Sequence, residues 1–103
     1  SNTTQLNPVA GAQIMQQVNL PIVVNWLQQW CYDLVSYRTT GKIRYFLNQM
    51  ASIAMVSRQI DLYACIAYAR TLNARQQLAR HPLNPRLFLE ELLIDYVAMI
   101  GKK

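Results

Sequence analysis

Between Asn19 and Gly41 the chain sets Val23, Trp26, Leu27, Trp30, Cys31, Leu34 and Val35 at alternating steps of three and one, with Tyr37 three beyond Leu34. That spacing is the helical period of about 3.6 residues, and it leaves Asn25, Gln28, Gln29, Tyr32 and Ser36 on the opposite side. A strand would need strict alternation, which this run lacks. The ends are marked by chemistry as well. Asn19 can accept an N–H of the first turn, and Pro21 falls where a helix has no hydrogen bond to lose. Gly41 suits the left-handed conformation that stops a helix.

The same reading, extended along the chain, predicts an all-α protein of five helical segments in one bundle. Besides the segment just described they cover residues 9–19, 48–56, 61–79 and 85–100. Residues 1–8 are polar and expected to fray, leaving 9–103 as the helical domain. Only three glycines and four prolines interrupt the chain, so turns are few. Asp61 is a plausible cap for the fourth segment, whose core stripe is expected at Leu62, Cys65, Ile66, Ala69 and Leu72. Pro82 ends it. For the last segment Asn84 is the cap and Pro85 the first helical residue. Leu83 and Phe88 hold the two positions of a hydrophobic staple. Its core stripe is expected at Leu89, Leu92, Leu93, Tyr96 and Ile100, with Gly101 as a left-handed stop.

Several function classes find no support in these residues. The longest apolar run, residues 62–69, is far short of the ~18 residues a membrane span needs, and no signal-peptide pattern appears, so a soluble, cytoplasmic protein is expected. The chain starts Ser1-Asn2 without Met, as a fragment of a longer protein would. Gly41-Lys42 lacks the upstream glycine of a phosphate-binding loop. Cys31 and Cys65 lie inside apolar helical patterns and read as buried thiols, not a disulfide or metal pair. His81, the single histidine, precedes Pro82 at a turn between helices, where its N–H can reach a terminal carbonyl; a structural role outweighs a catalytic one. Glu90, Glu91 and Asp95 read as a solvated face. No catalytic, cofactor-binding or metal-binding set can be assembled.

The net charge is +5, yet the first 37 residues contain one charged side chain, Asp33. Their polarity comes from Asn and Gln, which desolvate more cheaply than ions and suit surfaces that other protein covers. Arg70, Arg75 and Arg80, five residues apart on one helix, point to three sides and form no stripe that could track a nucleic-acid backbone. Arg38, Lys42 and Arg44 do cluster around Gly41. A basic nucleic-acid-binding module is therefore the rival reading, although a solvated loop explains the cluster more simply.

Protein contact is the better-supported expectation. Leu87, Ile94 and Val97 fall off the main stripe of the last helix, so that helix is apolar nearly all round and must be central or covered. Trp26 and Trp30 project from an almost uncharged helix, where core packing competes with an interface role. Asp33 sits at the margin of the apolar arc and needs a partner, with Arg44, Arg86 or the His81 turn as candidates. Arg86 lies in a first helical turn, where the dipole disfavours a cation. Glu90 is four residues on, in the weaker orientation for such a pair; Asp33 or a neighbouring subunit would serve better.

Two stretches carry a family likeness. Residues 26–46, WLQQWCYDLVSYRTTGKIRYF, and residues 81–96, HPLNPRLFLEELLIDY, in this order and separation, resemble the C-terminal helical domain of the bacterial DNA polymerase III delta-prime subunit. The features shared are the W-x-x-x-W-x-x-D-L run from Trp26 to Leu34, the Gly41 turn with Arg44-Tyr45, and the helix start Asn84-Pro85-Arg86-Leu87. The likeness spans residues 20–100. Related gamma/tau subunits have a similar helix start. The resemblance implies a clamp-loader collar domain, which packs against the collar domains of delta and gamma/tau in the ATP-driven complex that places the sliding clamp on primed DNA. DNA contact would be at most indirect. The nucleotide-binding fold, zinc-binding cysteines and trans-acting arginine of the family lie in an N-terminal part with no counterpart here. The resemblance implies the collar role alone; the candidate interface, read from the residues themselves, is Trp26, Arg86, Leu87, Ile94 and Val97, with Asp33, Arg44, His81, Asn84 and Pro85 as structural positions.

Replacing Asn84 with Ala is expected to lower stability by about 1 kcal/mol, measured as a shift of the denaturant midpoint at unchanged slope.

Overall fold

Helix starts follow the capping chemistry closely. The computed structural model describes residues 19–101. It contains α1 (Leu20–Thr40), a short 3-10 turn (Leu47–Gln49), α2 (Met50–Gln59), α3 (Leu62–Leu78) and α4 (Pro85–Gly101), and no strand among the described residues. The Asn19 side chain accepts from Ile22 N at 3.4 Å, Asp61 from Ala64 N at 3.1 Å and Asn84 from Leu87 N at 3.0 Å. Each satisfies a backbone donor that a helix N-terminus otherwise leaves unpaired. Gly41 ends α1 at φ 75°, with its N–H on the Tyr37 carbonyl at 2.9 Å. The segments expected at residues 9–19 and 1–8 lie outside the described residues, apart from Asn19 itself.

Three expectations are corrected. The segment placed at 48–56 begins as a 3-10 turn at Leu47 and continues as α2 to Gln59. Gly101 is helical; Gly41 is the one glycine with positive φ among the described residues, so Gly101 is no left-handed stop. Leu83 is fully exposed. It forms no staple with Phe88, and α4 relies on Asn84 and Pro85 for its start.

The core is built around α1, which packs most extensively against α3 and then against α2. α1 and α3 run antiparallel: Gln28 bonds Asn73 at one end, and Arg38 bonds Ile60, just ahead of α3, at the other. Val24, Cys31 and Leu34 from α1 are fully buried with Ile53, Cys65, Leu72, Leu89 and Leu92. The stripe expected on α4 is right in direction but misses Met99; the one expected on α3 is offset, since Tyr68 is buried with Cys65 and Leu72 while Ile66 and Ala69 are only half-buried. A tyrosine at the core's centre needs a partner for its hydroxyl, and Tyr68 Oη donates to the Leu92 carbonyl at 3.0 Å, tying α3 to α4. Trp30 Nε1 donates to Tyr96 Oη at 2.9 Å and ties α1 to α4. Cys31 and Cys65 are free, buried thiols. Hydrogen bonding with Cys65, then burial, push the Cys31 thiol well above its ordinary range, which makes it a poor nucleophile. No helix among the described residues is long and apolar enough to cross a membrane.

Burial raises the Tyr68 phenol above its usual value of 10.0, and burial likewise raises Tyr96 against the opposing effect of the Trp30 hydrogen bond. A phenol held neutral in the fold but free to ionise when unfolded favours unfolding once the pH exceeds the unfolded value. The contribution of the two tyrosines to stability is therefore expected to be level up to about pH 10 and then to fall, by up to about 1.4 kcal/mol per pH unit for each tyrosine. Denaturant titrations across that range, repeated on Tyr68→Phe, would check it; the variant should lose part of the slope.

Candidate protein interface

A buried carboxylate organises one end of the molecule. Asp33 is wholly shielded from solvent. Its Oδ1 accepts the backbone N–H of Arg44 at 2.8 Å and of Tyr45 at 3.2 Å, while Oδ2 accepts Tyr45 at 3.0 Å and Phe46 at 2.8 Å. The expected partners were side chains: Arg44, Arg86 or the His81 turn. The partner is instead three successive peptide groups. A carboxylate bonded to several fixed N–H dipoles recovers its lost hydration without ordering a long cationic side chain. The Arg44 guanidinium is left free to stack on Tyr45 at 5.2 Å and Tyr32 at 5.9 Å.

Arg38 does the complementary task at the other loop. Its Nη1 donates to the carbonyls of Ser57 and Ile60, both at 2.8 Å, and so closes the C-terminal end of α2. Sequence reasoning grouped Arg38 with Lys42 and Arg44 as a basic cluster; the structure separates it from them. A cation in the last turn of a helix was the available signal, but its target lies 19 and 22 residues away, beyond the reach of pattern.

Held by Asp33, the loop delivers Phe46 edge-on to both tryptophans, at 5.1 Å from Trp26 and 5.4 Å from Trp30. The two indoles lie parallel at 6.1 Å. Trp30 is largely covered and bonded to Tyr96, whereas Trp26 keeps 50% of its surface exposed. Trp30 is thus core, and Trp26 is the member of the pair that offers an apolar surface.

The outer side of α4 is the second apolar surface. Leu87, Ile94 and Val97 are 50%, 51% and 47% exposed. At 100° per residue Leu87 and Ile94 are within about 20° of each other and Val97 about 60° further round, on the side opposite Leu89, Leu92 and Met99. Arg86 Nε pairs with Glu90 Oε2 at 3.1 Å, the partner sequence reasoning ranked below Asp33 or a neighbouring subunit. Asp95 pairs with Arg75 Nη2 at 2.9 Å, so two of the three acidic residues on α4 hold ion pairs where a free solvated face was expected. Glu91, one turn on from Leu87, is the acidic residue of α4 with no ion pair among the described residues.

The remaining predicted residues take supporting places. Asn84 and Pro85 form the start of α4. The His81 backbone N–H meets the Leu78 carbonyl at 3.2 Å, and its ring is exposed. The amide-rich side of α1, expected to be covered by other protein, is partly used within the fold: Gln28 bonds Asn73 at 2.7 Å and accepts from Gln76 at 3.2 Å. Among the described residues no group of three or more His, Cys, Asp or Glu is placed to hold a metal ion. No protein-family model, curated protein or solved structure matches the chain.

Asp33→Ala removes four charge-assisted contacts but frees loop N–H groups that water can reach, so a net loss of about 3 kcal/mol is expected. Asp33→Asn keeps one acceptor oxygen and should lose less. Trypsin cleavage after Lys42 or Arg44 would accelerate in the same order, and equal cleavage in all three proteins would exclude the loop-holding role.

Proposed function

We propose that this chain is a non-catalytic oligomerisation domain of the clamp-loader collar type, from the delta-prime subunit of a bacterial DNA polymerase III. It would pack against the collar domains of delta and gamma/tau in the cytoplasm, and so help assemble the ATP-driven complex that loads the sliding clamp onto primed DNA. The observation that carries this reading is the half-exposed apolar face of Leu87, Ile94 and Val97 on α4. Completing the burial of each is worth about 1 kcal/mol, and Arg86 beside the face already has Glu90 as its partner.

The four-helix architecture is compatible with the resemblance of residues 20–100 to the delta-prime collar, and the residues that carry it fall at structurally demanding positions: Asp33 under its loop, Gly41 at its turn, Asn84 and Pro85 at the α4 start. The rival reading, a basic nucleic-acid-binding module, has less support. Arg38 is bound to carbonyls, and Arg75 and Arg86 are paired with carboxylates. A gamma/tau collar is the nearest alternative within the same function.

Co-elution with delta or gamma/tau collar domains on size exclusion is the direct test. Leu87→Glu and Ile94→Arg should each weaken association by about tenfold or more while the circular dichroism stays helical, since both positions are already half in water. Absence of any association in the parent chain would overturn the reading. Association unchanged in both variants would move the interface away from α4.

A further inference from the structure

We propose that the groove between α1 and α3 docks an acidic, apolar segment of a partner protein, on the side of the molecule opposite α4. The groove measures about 300 Å³. Its floor is Cys31, Val35, Ile66 and Ala69, and the Gln28–Asn73 hydrogen bond closes one end. Tyr32 and Arg70 form its rim.

Helix geometry fixes where it lies. Trp30 and Tyr68 carry the hydrogen bonds to α4. The groove residues of α1 centre roughly 150° round from Trp30, and those of α3 roughly 150° round from Tyr68. The α1–α3 pair is thus a two-helix layer with α4 on one face and the groove on the other. The surface is separate from the one proposed for collar packing, and the proposal does not rest on that reading.

Charge complementarity names the occupant. Both sides of the groove carry a guanidinium: Arg70 on the rim formed by α3, and Arg44 stacked on Tyr32 on the rim formed by α1. Neither has a carboxylate partner among the described residues, where the ion pairs are Arg75–Asp95 and Arg86–Glu90. No residue lining the groove is acidic. A partner that brings carboxylates therefore meets two cations without a carboxylate partner among the described residues, one of them held by ring stacking. The floor decides the rest. It is aliphatic and thiol, which suits branched apolar side chains, whereas nucleic-acid bases need flat aromatic platforms. At the lower limit of small-molecule sites, about 300–1,000 Å³, the space holds one or two side chains. Its length along α1, about 10 Å from Gln28 to Val35 at 1.5 Å per residue, matches two turns of a docked helix.

The test is selection of short random peptides on the full chain, followed by amide mapping of the winners by nuclear magnetic resonance. Enriched peptides should carry large apolar residues flanked by Asp or Glu, and should shift the amides of Val35, Ile66 and Ala69. Arg44→Glu with Arg70→Glu should weaken them about tenfold, and should favour the same peptide with lysine in place of its carboxylates. Both arginines are exposed, so the double variant should keep its helicity. Ile94→Arg should leave this binding unchanged. Enrichment of basic peptides, shifts confined to α4, or loss of binding to the α4 variant would overturn the proposal. So would tighter binding of oligothymidylate at the same amides, which would make the site a nucleic-acid contact. Nuclear Overhauser contacts from residues 1–18 to Ile66 or Ala69 in the unliganded chain would assign the groove to the chain's own start and equally overturn it.

Discussion

The Asp33 carboxylate, buried on α1 and bonded to three consecutive backbone N–H groups, is the constraint on which one end of the molecule depends. An isolated ion in such a place would cost several kcal/mol. Peptide dipoles fixed at 2.8–3.2 Å make it tolerable, and in return they fix the path of the chain between α1 and the 3-10 turn. Phe46 can then sit against both indoles, and Arg44 can stack on the two tyrosines. A surface ion pair, worth about 0–1 kcal/mol, would not hold a loop in this way. Arg38 repeats the device with opposite sign, meeting one carbonyl in the last turn of α2 and one just past it. Two charged side chains on α1, five residues apart, thus anchor the two non-helical connections on either side of α2.

With those connections anchored, the molecule is a layer of two antiparallel helices dressed differently on its two sides. On one side Trp30 and Tyr68 bond to α4, whose own outer face then remains half in water. On the other, an apolar groove lies open between two free arginines. A bundle of this size cannot cover both faces of its central pair and also the back of every helix. The surplus apolar surface is left exposed on the outer side of α4 and in the groove, and such patches mark places for other proteins.

Much of the architecture was legible in the chain. The Asn19 and Asn84 caps, the Gly41 stop and the placement of Leu87, Ile94 and Val97 off the core stripe follow from local hydrogen bonding and the helical period. What misled was also local. Leu83 holds a staple position but projects into solvent, because the staple is a contact between side chains and depends on the path by which the chain arrives. Gly101 stands where a stop belongs, yet helix continues through it.

The sequence by itself determined which of the described segments are helical, the caps at Asn19, Asp61 and Asn84 and the Gly41 stop, since these depend on groups within about four residues of one another. Only the tertiary structure decided which charged residues are structural and which are free. Asp33 reaches Arg44 to Phe46, Arg38 reaches Ile60, and Arg70 reaches no carboxylate among the described residues. These pairings bridge 11 to 22 residues of chain, and periodicity carries no information over that distance. They follow from how α1 lies against α3, which is set by core packing, and the groove, made of both helices at once, exists only after that packing is complete.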